Sequence, residues 1–159
     1  MPVYQKLGII PDKRHTVFRK EDGSLYAEEL FGTQGFGGTS SLIYHLNPPT
    51  RIIRYDEPYS VAPEIAIEKN LKPLSFKGYE LKPEDDYLES RKTLFVNNDM
   101  HIGLAAPKGF SKDYFFKNSD ADEMIFIHRG SGSLKTMYGK VPFEYGDYLI
   151  IPRGTVYQI

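Results

Sequence analysis

The sequence predicts an all-β protein of β-barrel or jelly-roll type with sparse helix, on three observations. First, the last third of the chain carries strand-like runs, Met124 to His128, Ser133 to Tyr138 and Tyr148 to Ile151, separated by glycine and proline turns. Second, the chain has 12 Tyr and 10 Phe, side chains that pack well on pleated surfaces. Third, Pro58, Pro63, Pro73 and Pro83 punctuate the middle of the chain at intervals near the mean helix length, which leaves no room there for long helices.

Taken in order, Lys6 to Pro11 opens the chain. Thr16 to Arg19 alternates as a strand does, and Glu21-Asp22-Gly23-Ser24 turns it back towards Leu25-Tyr26, a β-hairpin. The glycine-rich run Gly32 to Ser40 invites a phosphate-loop reading and fails it. Gly38 stands where a Walker loop needs lysine, and Ser40 stands where a dinucleotide fingerprint needs glycine. A turn that lets backbones approach closely accounts for it better. Ser41 to His45 is a strand, and Arg51 to Tyr55 resumes extended character. Pro83 to Leu88 starts one short helix with proline in its first turn and acids near its positive end. Thr93 to Val96 and His101 to Ala106 are the next strands.

Composition narrows the function classes. Apolar and charged fractions of 40% and 26% are those of a globular protein, and 159 residues suffice for a real core. A formal charge of -1 without a basic face argues against nucleic acid as a partner. Lys13, Arg14, Arg19 and Lys20 cluster, but Asp12, Glu21 and Asp22 flank them, so a solvated loop is expected. The absence of cysteine removes disulfides and thiolate metal sites. No apolar run spans a membrane and no signal-peptide core opens the chain, so no membrane partner and a cytoplasmic location are expected.

The spacing of the last third is that of a cupin. Glu123 stands seven residues before Gly130, and Gly146 six before Pro152, which opens a Pro-x-Gly turn. A metal-binding cupin would place two histidines just before Glu123 and a third at position 157. Those positions hold Phe116 or Lys117, Asn118 or Ser119, and Tyr157. Glu123 is therefore expected to accept hydrogen bonds from loop amides or to pair with an arginine. Tyr157 is expected to fill the barrel interior with its hydroxyl satisfied, the alternative being a pocket-lining phenol. Arg153 is either a carboxylate binder or an exposed turn residue. His15, His45, His101 and His128 stand far apart, with no histidine or acid at chelating spacing. His15 is read as structural, and the Arg129 cation beside His128 would repel a metal there.

A more specific resemblance runs along most of the chain. Lys13-Arg14-His15-Thr16-x-Phe18-Arg19, Asp22-Gly23-Ser24-Leu25-Tyr26 and Glu28-Glu29-Leu30-Phe31-Gly32 are similar to the N-terminal part of homogentisate 1,2-dioxygenases. So are Gly35-Phe36, Ser40-Ser41-Leu42, Tyr44-His45, Pro48-Pro49-Thr50, Asn97-Asn98-Asp99, Asn118 to Glu123 and Gly146 to Gly154. Only the stretch near residues 56–90 departs. The resemblance implies a non-haem Fe(II) enzyme of tyrosine and phenylalanine catabolism, a homo-oligomer that converts homogentisate and O2 to maleylacetoacetate. It also implies that the iron ligands, two histidines and a glutamate, lie in a second cupin beyond this chain.

On this reading residues 1–92 form an N-terminal β-rich segment packing on the barrel. Residues 93–159 form a degenerate cupin half-barrel, cut short at Ile159. No catalytic, cofactor-binding or metal-ligating residue is expected within residues 1–159, and the segment alone is expected to be inactive. The rival reading is a non-catalytic degenerate cupin that binds a small acid or serves in oligomerisation.

Overall fold

The computed structural model describes residues 17–67, 70, 72–109, 111 and 113–159. Lys6 to Pro11, Lys13, Arg14, His15 and Thr16 lie outside the described residues. The chain divides into two compact units, Met1–Tyr59 and Ser60–Ile159.

The first unit is built on one long hairpin of β1 (Ala27–Gln34) and β2 (Gly37–His45), paired from Ala27 opposite His45 to Gln34 opposite Gly37 with a register shift between Gly32 and Gln34. The glycine-rich run is thus mostly strand, joined by a two-residue turn at Gly35-Phe36. The expected turn is there but confined to those two residues, and the close approach of backbones holds. A Cβ on Gly32 would collide with the carbonyl oxygen of Gly35. Ahead of the hairpin, Arg19 and Leu25 form a single antiparallel bridge around a turn that the Asp22 side chain ties to Ser24. Arg19 and Lys20 bond to the carbonyls of Gly23 and Leu46, as polar groups of an exposed turn do.

The second unit is all-β and of jelly-roll type. Its two-stranded pieces are β3 (Lys92–Val96) with β4 (His101–Leu104), and β6 (Glu123–Phe126) with β9 (Tyr148–Ile151). A four-stranded antiparallel sheet comprises β5 (Phe116–Lys117), β10 (Val156–Gln158), β7 (Gly132–Thr136) and β8 (Gly139–Phe143), in that spatial order. Helix is confined to a 3-10 turn at Gly78–Glu80 and one turn of α1 (Tyr87–Ser90). β8 escapes a sequence reading because Pro142 interrupts it. It tolerates proline because it lies at the sheet edge.

The core gathers Tyr87, Ile127, Leu134, Leu149, Ile151 and Tyr157, with Phe116, Ile125 and Phe143 packed against it. Each fully buried aliphatic side chain contributes about 1.5–3 kcal/mol relative to exposure. Alternation supplies them: Leu149 and Ile151 point inward from β9 while Tyr148 and Ile150 point out. Turn geometry fixes the register. Gly146, at φ +93°, donates its amide to the carbonyl of Ile127, while the Ile127 amide donates to Asp147.

α1 starts later than proline rules suggest. Pro83 lies outside it, and Asp86 is its N-cap, accepting from the amides of Leu88 and Glu89. The Tyr114 hydroxyl donates to both carboxylate oxygens of Asp86 at 2.6 Å. Burial would raise that carboxyl, but the bonds from Tyr114, Glu89, Leu88 and Tyr87 outweigh burial and hold it below 3.8. A depressed carboxyl stabilises the fold above the unfolded value, and that contribution disappears as pH falls through the folded one. Asp86→Ala is expected to lose about 1 kcal/mol at pH 7 in urea unfolding. The difference from wild type should shrink as the pH is lowered below 3.8.

Candidate functional site

Glu123 opens β6 with its side chain turned into the interior, 8% exposed. Tyr157, on β10 and 1% exposed, donates its hydroxyl to Glu123 Oε2 at 2.7 Å. On the other side, Arg91 Nη2 lies 2.9 Å from Oε1. That contact is between charges rather than an aligned hydrogen bond, since Oε1 has no hydrogen-bond partner of good geometry. Arg91 is the residue that ends α1, and its guanidinium lies 5.6 Å from the Tyr87 ring centroid and 5.8 Å from that of Phe116. Phe116 and Tyr157 meet edge to face at 5.5 Å. Five side chains from α1 and its C-terminal cap, β5, β6 and β10 thus form one cluster.

The protonation states of the two tyrosines and the arginine of this cluster are fixed. Burial, reinforced by Tyr87 and by the bond to Glu123, pushes the Tyr157 hydroxyl far above its ordinary 10.0. Burial also raises Tyr87. Burial would lower Arg91, but Tyr87, Glu123 and Tyr157 outweigh it and hold the guanidinium above its ordinary value. Near neutral pH the two phenols and the cation are therefore inert as acids and bases.

Both expectations for this spot hold: Glu123 pairs with an arginine, and Tyr157 is an interior tyrosine with a satisfied hydroxyl. The cluster does not fit a metal ion. An iron site of the facial type needs two imidazoles and a carboxylate with open positions. Here a guanidinium stands against the carboxylate and a phenol takes its other oxygen. Among the described residues, no group of three His, Asp or Glu could hold a metal.

The remaining candidates are scattered. Asn118, at one of the histidine positions, instead caps its own loop through the amides of Asp120 and Ala121, and its carbonyl accepts from Gly154. Arg153 is an exposed turn residue whose amide donates to Asp122. His45 bonds to Glu29 Oε2 at 2.7 Å within the β1–β2 hairpin. His101 is exposed on β4, and His128 lies among the rings of Tyr79, Phe126 and Tyr145. Sequence reasoning missed Arg91 and Tyr87. The available signal was an arginine just past a capped helical turn, the one basic residue between Asp86 and Lys92. An apolar cleft of about 260 Å³ lies elsewhere, lined by Phe76, Gly78, Leu81, Leu94 and Leu104. Its two lysines are engaged, Lys77 with Glu80 and Lys92 with the Glu89 carbonyl, so it offers no free charge to orient a ligand.

Fold and cluster together define an all-β, cupin-like unit in which an interior carboxylate is paired with a half-exposed arginine. Comparison with known proteins adds the chemistry of the relatives. The whole chain is 37% identical to a protein of Saccharolobus solfataricus named "Putative dioxygenase", of which it covers 41%. It is 30% and 26% identical, over 96% of its length, to homogentisate 1,2-dioxygenases of Nitrobacter hamburgensis and Sinorhizobium fredii, covering 37% of each. The chain is thus related to proteins named as dioxygenases and spans about two fifths of their length. No family model matches it, and no solved structure does.

The ion pair gives a direct test. Arg91→Met leaves Glu123 buried beside Tyr157 without a cation. A fully buried pair broken in this way costs about 3–5 kcal/mol. With the Arg91 side chain 40% exposed, solvent screening brings the expected loss to roughly 2 kcal/mol in urea unfolding. Arg91→Met combined with Glu123→Gln is expected to be more stable than Arg91→Met alone, because no uncompensated charge remains buried.

Proposed function

We propose that this chain is the non-catalytic cupin part of a longer cytoplasmic Fe(II) dioxygenase that cleaves the ring of homogentisate with O2 to give maleylacetoacetate. The observation that carries the proposal is the blocked carboxylate. Glu123 keeps the position of a cupin metal ligand, yet Tyr157 bonds one of its oxygens and the Arg91 cation stands against the other. Dioxygenase relatives match this chain over 96–100% of its length, which supports oxidoreductase chemistry for the longer protein. Since the donor set here rejects a metal, the iron and its ligands belong to another part of that protein. The role of residues 1–159 is then scaffolding and packing around the reaction rather than bond making.

Oxygen uptake tests the two parts separately. The 159-residue chain, supplied with Fe(II) and homogentisate, is expected to consume no O2 above the metal blank. A longer protein carrying this stretch is expected to consume O2 with homogentisate, and to form maleylacetoacetate. Turnover by the 159-residue chain would sink the scaffold role. An inactive longer protein would sink the substrate assignment.

A further inference from the structure

A protease binds its substrate as a strand, through main-chain hydrogen bonds, so an exposed side chain alone does not make a cleavage site. The backbone around it must be free as well. Residues 51–67 meet that demand. They form no helix, strand, turn or bend, and Pro63 alone among them is half-buried, the others being exposed. From Ile52 to Phe76 no backbone–backbone hydrogen bond forms among the described residues. Within this run stands Arg54, its side chain 81% exposed, between Ile53 at 90% and Tyr55 at 86%. Its contact with Asp56, 3.5 Å across and open to water, is of the surface kind that holds little.

The other arginines of the described residues are tied at the backbone or next to it. Arg19 is bridged to Leu25 and bonds to the Gly23 carbonyl across its turn. Arg51 donates its amide to the Pro48 carbonyl. Arg91 ends α1, its amide bonded to Leu88 and its guanidinium set against Glu123. Arg129 and Arg153 are exposed, but Arg129 sits in the bend after β6 and Arg153 in a turn that Asp122 holds through its amide. Exposure of the side chain therefore does not single out Arg54, whereas freedom of the backbone does.

The two sides of Arg54 also differ in what would survive a cut. Every residue of the core, and every strand pair other than β1–β2, lies between residues 87 and 159. Among the described residues of the first unit no side chain is buried, and a lone two-stranded hairpin is marginally stable in water.

We propose that the Arg54–Tyr55 bond is a processing site for an arginine-specific endoprotease, and that residues 55–159 are the folded product, independently of the proposed reaction. Arg54 fits the acidic specificity pocket of such an enzyme, and the residue after it is not a proline. The step is a hydrolysis. The oxygen of water bonds to the Arg54 carbonyl carbon, the C–N bond breaks and a proton goes to the Tyr55 nitrogen, which leaves a carboxylate and an ammonium group.

Digestion of the folded 159-residue chain with an arginine-specific endoprotease, followed over time by mass spectrometry, is the test. Arg54 is expected to be cut at least about 10-fold faster than Arg19, Arg51, Arg91, Arg129 or Arg153, and residues 55–159 are expected to keep their β-sheet circular dichroism. Arg54→Gln is expected to abolish that product. Tyr55→Pro is expected to abolish it with the arginine still in place, because the bond then lacks its N–H. Both side chains are exposed, so neither variant is expected to alter the fold. A first cut at any of the other five arginines overturns the proposal, as does a chain left whole. So does a 55–159 product degraded as fast as it forms. A longer protein carrying this stretch is expected to be cut at the same bond; one that resists there has residues 51–67 covered by its remainder, and this too overturns the proposal.

Discussion

A single carboxylate organises the second unit. Glu123 leaves water to sit at the start of β6, and a buried charge is tolerated only where others compensate it. Tyr157 supplies a hydrogen bond from β10, and Arg91 supplies the opposite charge from the end of α1. The two strands belong to different sheets, so the cluster links the layers and pins the one helical turn to both. The aromatic rings around Arg91 limit its contact with solvent and hold the guanidinium in place. Asp86 and Tyr114 stand one step further back, setting where the turn begins and hence where Arg91 emerges.

Part of this arrangement was legible in the sequence. The spacing of Glu123, Gly130, Gly146 and Pro152 located the turns and the carboxylate, because turn chemistry is local and position-specific. The interior place of Tyr157 followed from the same spacing. Arg91 and Tyr87 were not legible. Glu123 and Tyr157, around which they gather, lie more than thirty positions away, and no short motif marks a residue whose role is created by packing. The strands fell between these cases. Those made of apolar and β-branched residues announced themselves, as in Tyr148–Ile151, whereas β8 was hidden by Pro142 and the facing ends of β1 and β2 by their glycines.

The cluster also separates ancestry from chemistry. A guanidinium can replace a divalent cation beside a carboxylate as far as charge is concerned, but it offers no open coordination position for oxygen or substrate. The chain is related to proteins named as dioxygenases, while the carboxylate of Glu123 is held by an arginine and a tyrosine rather than left open. Such a division is common where a fold is duplicated or extended, since function resides in a site rather than in the fold that carries it.

Arg153 illustrates a different use of charge. The segment Tyr148-Leu149-Ile150-Ile151 is short, uncharged and rich in β-branched residues, the composition of a sequence that stacks into cross-β fibrils. Asp147 precedes it, and Pro152 and Arg153 follow it. A charge on either side and a residue that cannot donate to a ladder are what keep such a segment from templating its own misassembly before the barrel closes. Arg153, exposed in the folded unit, thus stands where a charge opposes such pairing while β9 is bare.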